Sequence, residues 1–276
     1  MFTKKNMKKI RNFIFELNKF TSKLNTKNYI RFWNLLFIFS FKSLRFRFLD
    51  ENVILVLDKE NKIYISQKLR GYFYFKSIKH RFRSLGEMYF FDKITFEKDD
   101  IIVDCGANIG EIYNSLKIFT KYSFQYFGFE PVKSEFQILK LNSVNKIEGP
   151  FALFDKNESS KLYIHIEGAD STLIEDTRYN QIEEVECIRL DSVIALKNNH
   201  IKLLKLEAEG AEMEVLIGCG EILKNIQYIS ADLGFELEQG TKSNEKEVSD
   251  FLLKNNFYKI ASNSRHINLF KNKSFS

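Results

Sequence analysis

Along residues 98–276, short β-branched or aromatic runs alternate with stretches whose apolar side chains recur every third or fourth position. Runs of the first kind occupy residues 101–104, 124–130, a segment around 149–154, 201–206 and 228–232. The second kind fills residues 111–121, the segment after Pro131, residues 211–225 and residues 245–255. Such alternation predicts parallel strands joined by helical crossovers, an α/β fold. After Pro131, the side chains of Phe136, Leu139 and Leu141 are expected to face inward. Two places break the alternation. Residues 161–194 hold β-rich pieces at 162–166, 171–174 and 185–190, read as an insertion near the ligand side. Residues 257–262 and 265–271 read as a terminal hairpin around Asn263-Ser264.

The N-terminal pattern is different. In residues 1–28, Ile10, Phe13, Ile14, Leu17 and Leu24 recur at helical spacing, with Lys5, Lys8, Lys9, Arg11 and Lys19 mostly elsewhere on the wheel. That predicts a basic amphipathic helix. The apolar run between Arg31 and Lys42 is far shorter than the roughly 20 residues a bilayer crossing needs. No small-residue cleavage site follows it, so it does not read as a signal peptide. Two readings stay open for residues 1–48: a cap on the main domain, or attachment to an anionic membrane surface by charge and aromatic insertion. Residues 50–66 read as a hairpin, and residues 70–97 as an aromatic, basic lead-in with a helical stretch near 85–91. The expected organisation is an extension (1–48), a hairpin and lead-in (49–97), and a main domain (98–276).

Composition narrows the classes. The chain has 276 residues, 44% hydrophobic and 28% charged, enough apolar residues for a sizeable core. Its three cysteines are far apart and form no Cys-x-x-Cys, which argues against a disulfide framework and fits a reducing, cytoplasmic setting. The four histidines show no metal-ligand spacing, so no metal is expected. The net charge of +6 is unevenly spread: residues 1–47 hold twelve Lys/Arg against one acid, a net of +11, which leaves −5 for the rest. A basic pI near 8.9 is therefore no sign that the main domain binds nucleic acid, and no nucleic-acid partner is expected.

The candidate chemistry starts at the first run of the main domain. Ile101-Ile102-Val103-Asp104 leads into Cys105-Gly106-Ala107-Asn108-Ile109-Gly110-Glu111, a strand, a glycine-punctuated turn and a helix start. The spacing Gly-x-x-x-Gly differs from the Gly-x-Gly-x-x-Gly of dinucleotide folds. Glu130 lies twenty residues beyond Gly110, where an acid reaches the two hydroxyls of a ribose. Asp104, Glu130, Glu207 with Glu209, and Asp232 all end strands, and ligands of open α/β sheets bind beyond those ends. An acidic rim, with Glu111 at the helix start, repels a pyrophosphate and suits a cationic, hydroxylated ligand. S-adenosylmethionine fits that description better than NAD does.

At this point a family resemblance is plain. Residues 103–111, Phe129-Glu130-Pro131 with Phe136, Leu139 and Asn142, and Lys205-Leu206-Glu207-Ala208-Glu209-Gly210-Ala211-Glu212 followed by Val215-Leu216 and Gly218 resemble the FkbM-type methyltransferases. Ala169-Asp170-Ser171-Thr172 and Arg189-Leu190-Asp191 resemble the family's middle segment. The resemblance covers roughly residues 70–260; the first 50 residues match nothing in it. It implies a Rossmann-like class I methyltransferase sheet of about seven strands, the last antiparallel. It also implies S-adenosylmethionine as donor and, as usual acceptor, a saccharide or glycolipid hydroxyl in glycan, lipopolysaccharide or natural-product assembly.

Carried onto this chain, Asp104, Gly106, Ala107, Asn108 and Gly110 would hold the methionine part, Glu130 and Pro131 the ribose, and Phe151 and Ala152, after Pro150, would lie near the adenine. Glu207, Glu209 and Asp232 are candidates for the base that takes the acceptor proton. Lys205, Glu207 and Glu209 would share one face of an extended strand. Lys205 could then hold an acceptor anion or pair with Glu207, and the group could equally be an internal ion-pair network. Two rivals remain: an NAD(P)-dependent oxidoreductase on a related fold, and a catalytically inactive binding module.

Overall fold

The structure is a computed structural model that describes residues 4–40, 42–147, 149–165, 170–174, 181–234 and 243–275, without the side chains of residues 4–8, 10, 11, 165 and 170. The chain divides into two compact units, residues 1–84 and 85–276.

The first unit opens with helices α1 (Lys4–Thr21) and α2 (Thr26–Phe39). The single helix expected over residues 1–28 is thus broken, because Asn25 starts a new one by accepting the backbone N–H of Asn28 at 2.9 Å. Strands β1 (Arg45–Phe48), β2 (Ile54–Leu57) and β3 (Lys62–Ile65) follow as an antiparallel sheet in the order β1-β2-β3. The hairpin was legible; the extra strand Arg45-Phe46-Arg47-Phe48 carries the period-2 pattern that marks it. One face of α2 buries Tyr29, Ile30, Trp33 and Phe37. The Tyr29 ring stacks on Phe46 of β1 at 5.7 Å, and Trp33 donates its indole N–H to Thr21 Oγ1 of α1 at 3.0 Å. These contacts tie both helices to the small sheet.

Helix α3 (Ile78–Met88) begins earlier than the stretch expected near 85–91. The second unit then builds β4 (Asp100–Cys105), α4 (Glu111–Phe119), β5 (Phe124–Phe129), α5 (Lys133–Asn142) and β6 (Phe151–Leu153). In α5, Phe136 and Leu139 are buried as expected but Leu141 is exposed, since two residues along a helix turn a side chain to another face. Next come β7 (Glu158–His165), β8 (Asp170–Thr172) and β9 (Gln181–Ile188), which with β6 form a sheet in the order β6-β9-β7-β8. Alternation resumes with β10 (Ile201–Leu206), α6 (Glu212–Gly218), β11 (Ile226–Asp232), α7 (Glu245–Lys254) and the hairpin β12 (Phe257–Ser262) and β13 (Ile267–Asn272). The helix expected over 211–225 stops at Gly218 and continues as a 3-10 segment, Gly220–Asn225.

The main sheet runs β12-β13-β11-β10-β4-β5, with β11, β10, β4 and β5 parallel and β13 antiparallel to both neighbours. The short β6 follows in chain order but pairs in parallel with β9 instead of joining the main sheet. Strands β4 and β10 are buried along their whole length, as their near-continuous apolar runs require in a sheet covered on both faces. One core layer includes Val103, Leu204, Leu206, Ile229 and Phe270; the other includes Ile102, Leu203, Tyr89 and Leu269.

Candidate functional site

The site is built at the carboxyl ends of β4, β5 and β10. The turn after β4 is held backbone to backbone: Ala107 N–H donates to Phe129 O and Gly110 N–H to Ala107 O, both at 2.9 Å. Asn108 N–H donates to Glu130 Oε2 and Val132 N–H to Glu130 Oε1, both at 2.8 Å. The Glu130 carboxylate is therefore buried and oriented by the turn it faces and by its own following loop. Gly106 has φ +71°, and a Cβ there would come within 2.2 Å of the carbonyl oxygen of Glu207. The glycine lets the loop after β4 lie against the loop after β10, at a conformation other residues rarely adopt.

Between these loops sits Lys205, whose side chain is 1% exposed. Its ammonium lies 2.8 Å from Glu207 Oε2 and 3.2 Å from Asp104 Oδ1, and donates to Cys105 O at 3.0 Å and Gly106 O at 2.9 Å. Its three N–H bonds are thus shared among four oxygens. Burial opposes the charge on Lys205, but Asp104 and Glu207 outweigh it and raise its pKa. The Asp104 carboxyl is pushed up by burial, which Lys205 and the donated hydrogen bond of the Tyr126 hydroxyl only partly offset. Burial also pushes Glu207 up, yet Lys205, a hydrogen bond from Tyr89 and the charge of Arg265 bring it below the usual carboxylate range. Glu207 is the partner that reaches solvent, with its side chain 36% exposed.

The loop after β10 has its own clamp. Glu212 Oε1 accepts Ala208 N–H at 2.8 Å and Gly210 N–H at 3.2 Å, while Oε2 accepts the Asn244 side-chain amide. Burial raises the Glu212 carboxyl against the lowering effect of those donors. Thr172 of β8 donates its hydroxyl to Glu209 O at 2.7 Å, so the strand after the donor region also pins this loop.

Several expectations change here. Lys205, Glu207 and Glu209 do not share one strand face, because β10 ends at Leu206 and Glu209 sits at φ +49°. Lys205 is buried and engaged by its own loops, so it does not hold an acceptor anion. Asp104 faces Lys205 and Tyr126 with no exposure, so it supports the turn instead of presenting its carboxylate to a ligand. Asp232 ends β11, pairs with Ile267 and is half-buried. Pro131 is half-buried directly after Glu130. Phe151 is half-buried and packs on the core, with its ring over Gly149; Ala152 is buried in the β6–β9 pair. Ala169 and the side chains of His165 and Asp170 lie outside the described residues. Three participants escaped the reading: Tyr89, Tyr126 and Glu212. Glu212 stood within a quoted motif, but Tyr89 belongs to the lead-in, and nothing local marks a residue more than a hundred positions from its partner Lys205.

The residues present suit S-adenosylmethionine. A fixed carboxylate stands at the end of β5, a tight backbone turn precedes it, and the buried Lys205 beside that turn is neutralised by its own carboxylates. The parallel core with an inserted antiparallel β13 and this strand-end loop define a Rossmann-like class I S-adenosylmethionine-dependent methyltransferase. Residues 104–259 match the model of the methyltransferase FkbM domain, and the chain belongs to that family. No curated protein matches the chain by sequence. Among solved structures, the N-terminal domain of human METTL16 in complex with SAH is similar at 12% identity, covering 90% of this chain and 82% of that one, with a TM-score of 0.38. A human methyltransferase 10 domain containing protein is similar at 8% identity, covering 87% and 94%, with a TM-score of 0.34.

Proposed function

We propose that the chain methylates a hydroxyl oxygen of a saccharide or glycolipid acceptor, in the assembly of a glycan, lipopolysaccharide or natural product. The observation that carries this reading is the charge of the unit that holds the site. Residues 85–276 contain twenty-two Lys/Arg and thirty-one Asp/Glu, a net of −9; Glu207 directly follows β10 and Asp232 ends the neighbouring β11. Such a rim repels a polyphosphate acceptor such as RNA and offers carboxylates to neutral hydroxyls, which donate to them.

S-adenosylmethionine, when bound, supplies a methyl carbon attached to a positively charged sulfur. Gly106, Ala107, Asn108 and Gly110 would hold its methionine part through the backbone of the turn, Glu130 and Pro131 its ribose, and Phe151 and Ala152 its adenine. Glu207 takes the role of hydrogen-bond acceptor for the reacting hydroxyl and receives its proton as the new carbon–oxygen bond forms. Its pKa below the usual range makes it a weak base, so orientation of the acceptor oxygen supplies most of the acceleration. Lys205 and Tyr89 position Glu207. Asp232 stands on the adjacent strand as a second acceptor-side carboxylate, and Glu209 shapes the loop.

The test pairs the purified chain and S-adenosylmethionine with panels of neutral saccharides, glycolipids and RNA, reading by mass spectrometry the gain of one methyl group. Methylated sugar that disappears with Glu207→Gln, at unchanged donor affinity, supports the reading; a loss of about a hundredfold in kcat is expected. Methylation of RNA alone defeats it.

A further inference from the structure

Helix α2 is apolar on both faces. Tyr29, Ile30, Trp33 and Phe37 are buried against the first unit's own sheet and helix, while Leu35, Ile38 and Phe39 point the other way and are 56%, 55% and 72% exposed. Those three stand at i, i+3 and i+4 and so form one stripe. Arg31 and Lys27, both exposed, lie on the same side of the helix. Helix α1 repeats the arrangement: Asn18 and Thr21 are buried, and the exposed Phe13, Phe20 and Lys9 lie on the opposite face. An ordinary soluble surface scatters such residues singly.

Charge says what covers this face. Residues 1–84 hold twenty Lys/Arg against five Asp/Glu, a net of +15, and no acidic residue occurs between Glu16 and Asp50. A second copy of so cationic a face would be repelled, whereas an anionic surface is attracted. No described helix is long and apolar enough to cross a membrane. Exposed aliphatic and phenylalanine side chains bordered by lysine and arginine suit the boundary between headgroups and acyl chains. RNA fits less well: the exposed phenylalanines could stack on bases, but the aliphatic Leu35 and Ile38 between them would stay in water.

We propose that the first unit docks on an anionic lipid bilayer, with Leu35, Ile38 and Phe39 of α2 entering the interface and the exposed cations around them pairing with lipid headgroups. The unit lies on the membrane and does not span it. The inference is independent of the methyl acceptor.

The experiment uses the full chain in co-sedimentation with vesicles of phosphatidylcholine containing phosphatidylglycerol, against vesicles of phosphatidylcholine alone and a single-stranded RNA. Expected is binding to the anionic vesicles that weakens with added salt. It should fall about tenfold or more in the triple variant Leu35→Gln, Ile38→Gln, Phe39→Gln. The variant substitutes only solvent-facing side chains, and unchanged circular dichroism and an unchanged thermal unfolding profile show that its first unit is folded. A second variant, Lys23→Glu, Lys27→Glu, Arg31→Glu, should abolish the preference for anionic lipid. Vesicle binding equal on both lipid mixtures overturns the proposal, as does binding indifferent to the triple variant. So does a wild-type dimer, seen by sedimentation, that the triple variant converts to monomer without any vesicle binding. RNA binding stronger than vesicle binding and insensitive to the triple variant overturns it too.

Discussion

Lys205 governs the site at the scale of single residues. It neutralises Asp104 and Glu207 and joins two loops that chain order separates by about a hundred residues. Lys205→Met removes the ammonium but leaves the Asp104 carboxyl buried without its cation. Breaking a buried pair from one side costs about 3–5 kcal/mol, and urea unfolding of the second unit's transition should show a loss of that order. Glu212 makes the opposite case. Its carboxyl is raised by burial, so between the unfolded value near 4.3 and the higher folded value the folded chain keeps a proton that the unfolded chain has lost. Folding stability contributed by this residue therefore falls as pH rises through that window. Glu212→Gln removes the slope. The glutamine oxygen can accept Ala208 and Gly210, and its amide can donate to Asn244 Oδ1, an oxygen without a partner here, once the asparagine amide turns over. Above the window the variant should match or exceed the parent in stability, and below it the two curves should converge. Unfolding free energies measured across acidic to neutral pH check this.

At the scale of elements, the strands of the main sheet were the most legible parts. Residues 101–104, 124–130, 201–206 and 228–232 are runs that only a doubly covered strand explains, and β4, β5, β10 and β11 lie there. Glu130 drew notice by its distance from Gly110 as an acid for a ribose, and its carboxylate accepts the Asn108 N–H of the turn after β4. What stayed hidden was set by partners remote in sequence. The strand face imagined for Lys205, Glu207 and Glu209 failed because Glu212 and Thr172 bend the chain after Leu206; Glu212 stood within the quoted motif, but the Thr172 bond has no local signal. The small sheet's first strand was concealed by the helical run before it. The turn after β4 carries the sharpest element-level expectation. Gly106→Ala places a methyl group against the Glu207 carbonyl at a positive φ, where backbone strain and overpacking act together. A loss of roughly 2–4 kcal/mol is expected. Calorimetry with S-adenosylmethionine should show weakened binding even where the variant remains folded, because the turn and the loop after β10 can no longer lie together.

For the whole molecule, the two units carry opposite charge, +15 and −9, and every candidate donor residue belongs to the second. That division predicts how truncations behave. Deleting residues 1–48 would remove α2 and β1 but keep β2 and β3, leaving Ile54, Val56, Ile63 and Ile65, now buried, without the elements that help cover them. Two strands alone are marginal in water, and their apolar faces invite association. Deleting residues 1–76 instead removes both helices and the whole small sheet, and keeps α3 from its first residue, Ile78, together with Tyr89. The longer deletion should therefore give the better-behaved protein. Light scattering should find the 49–276 fragment aggregated and the 77–276 fragment monodisperse. Calorimetry on the latter should return the donor affinity of the full chain. A 77–276 fragment that aggregates, or that has lost donor binding, would show that the first unit contributes to the fold of the second, and that the charge division is no guide to the division of labour.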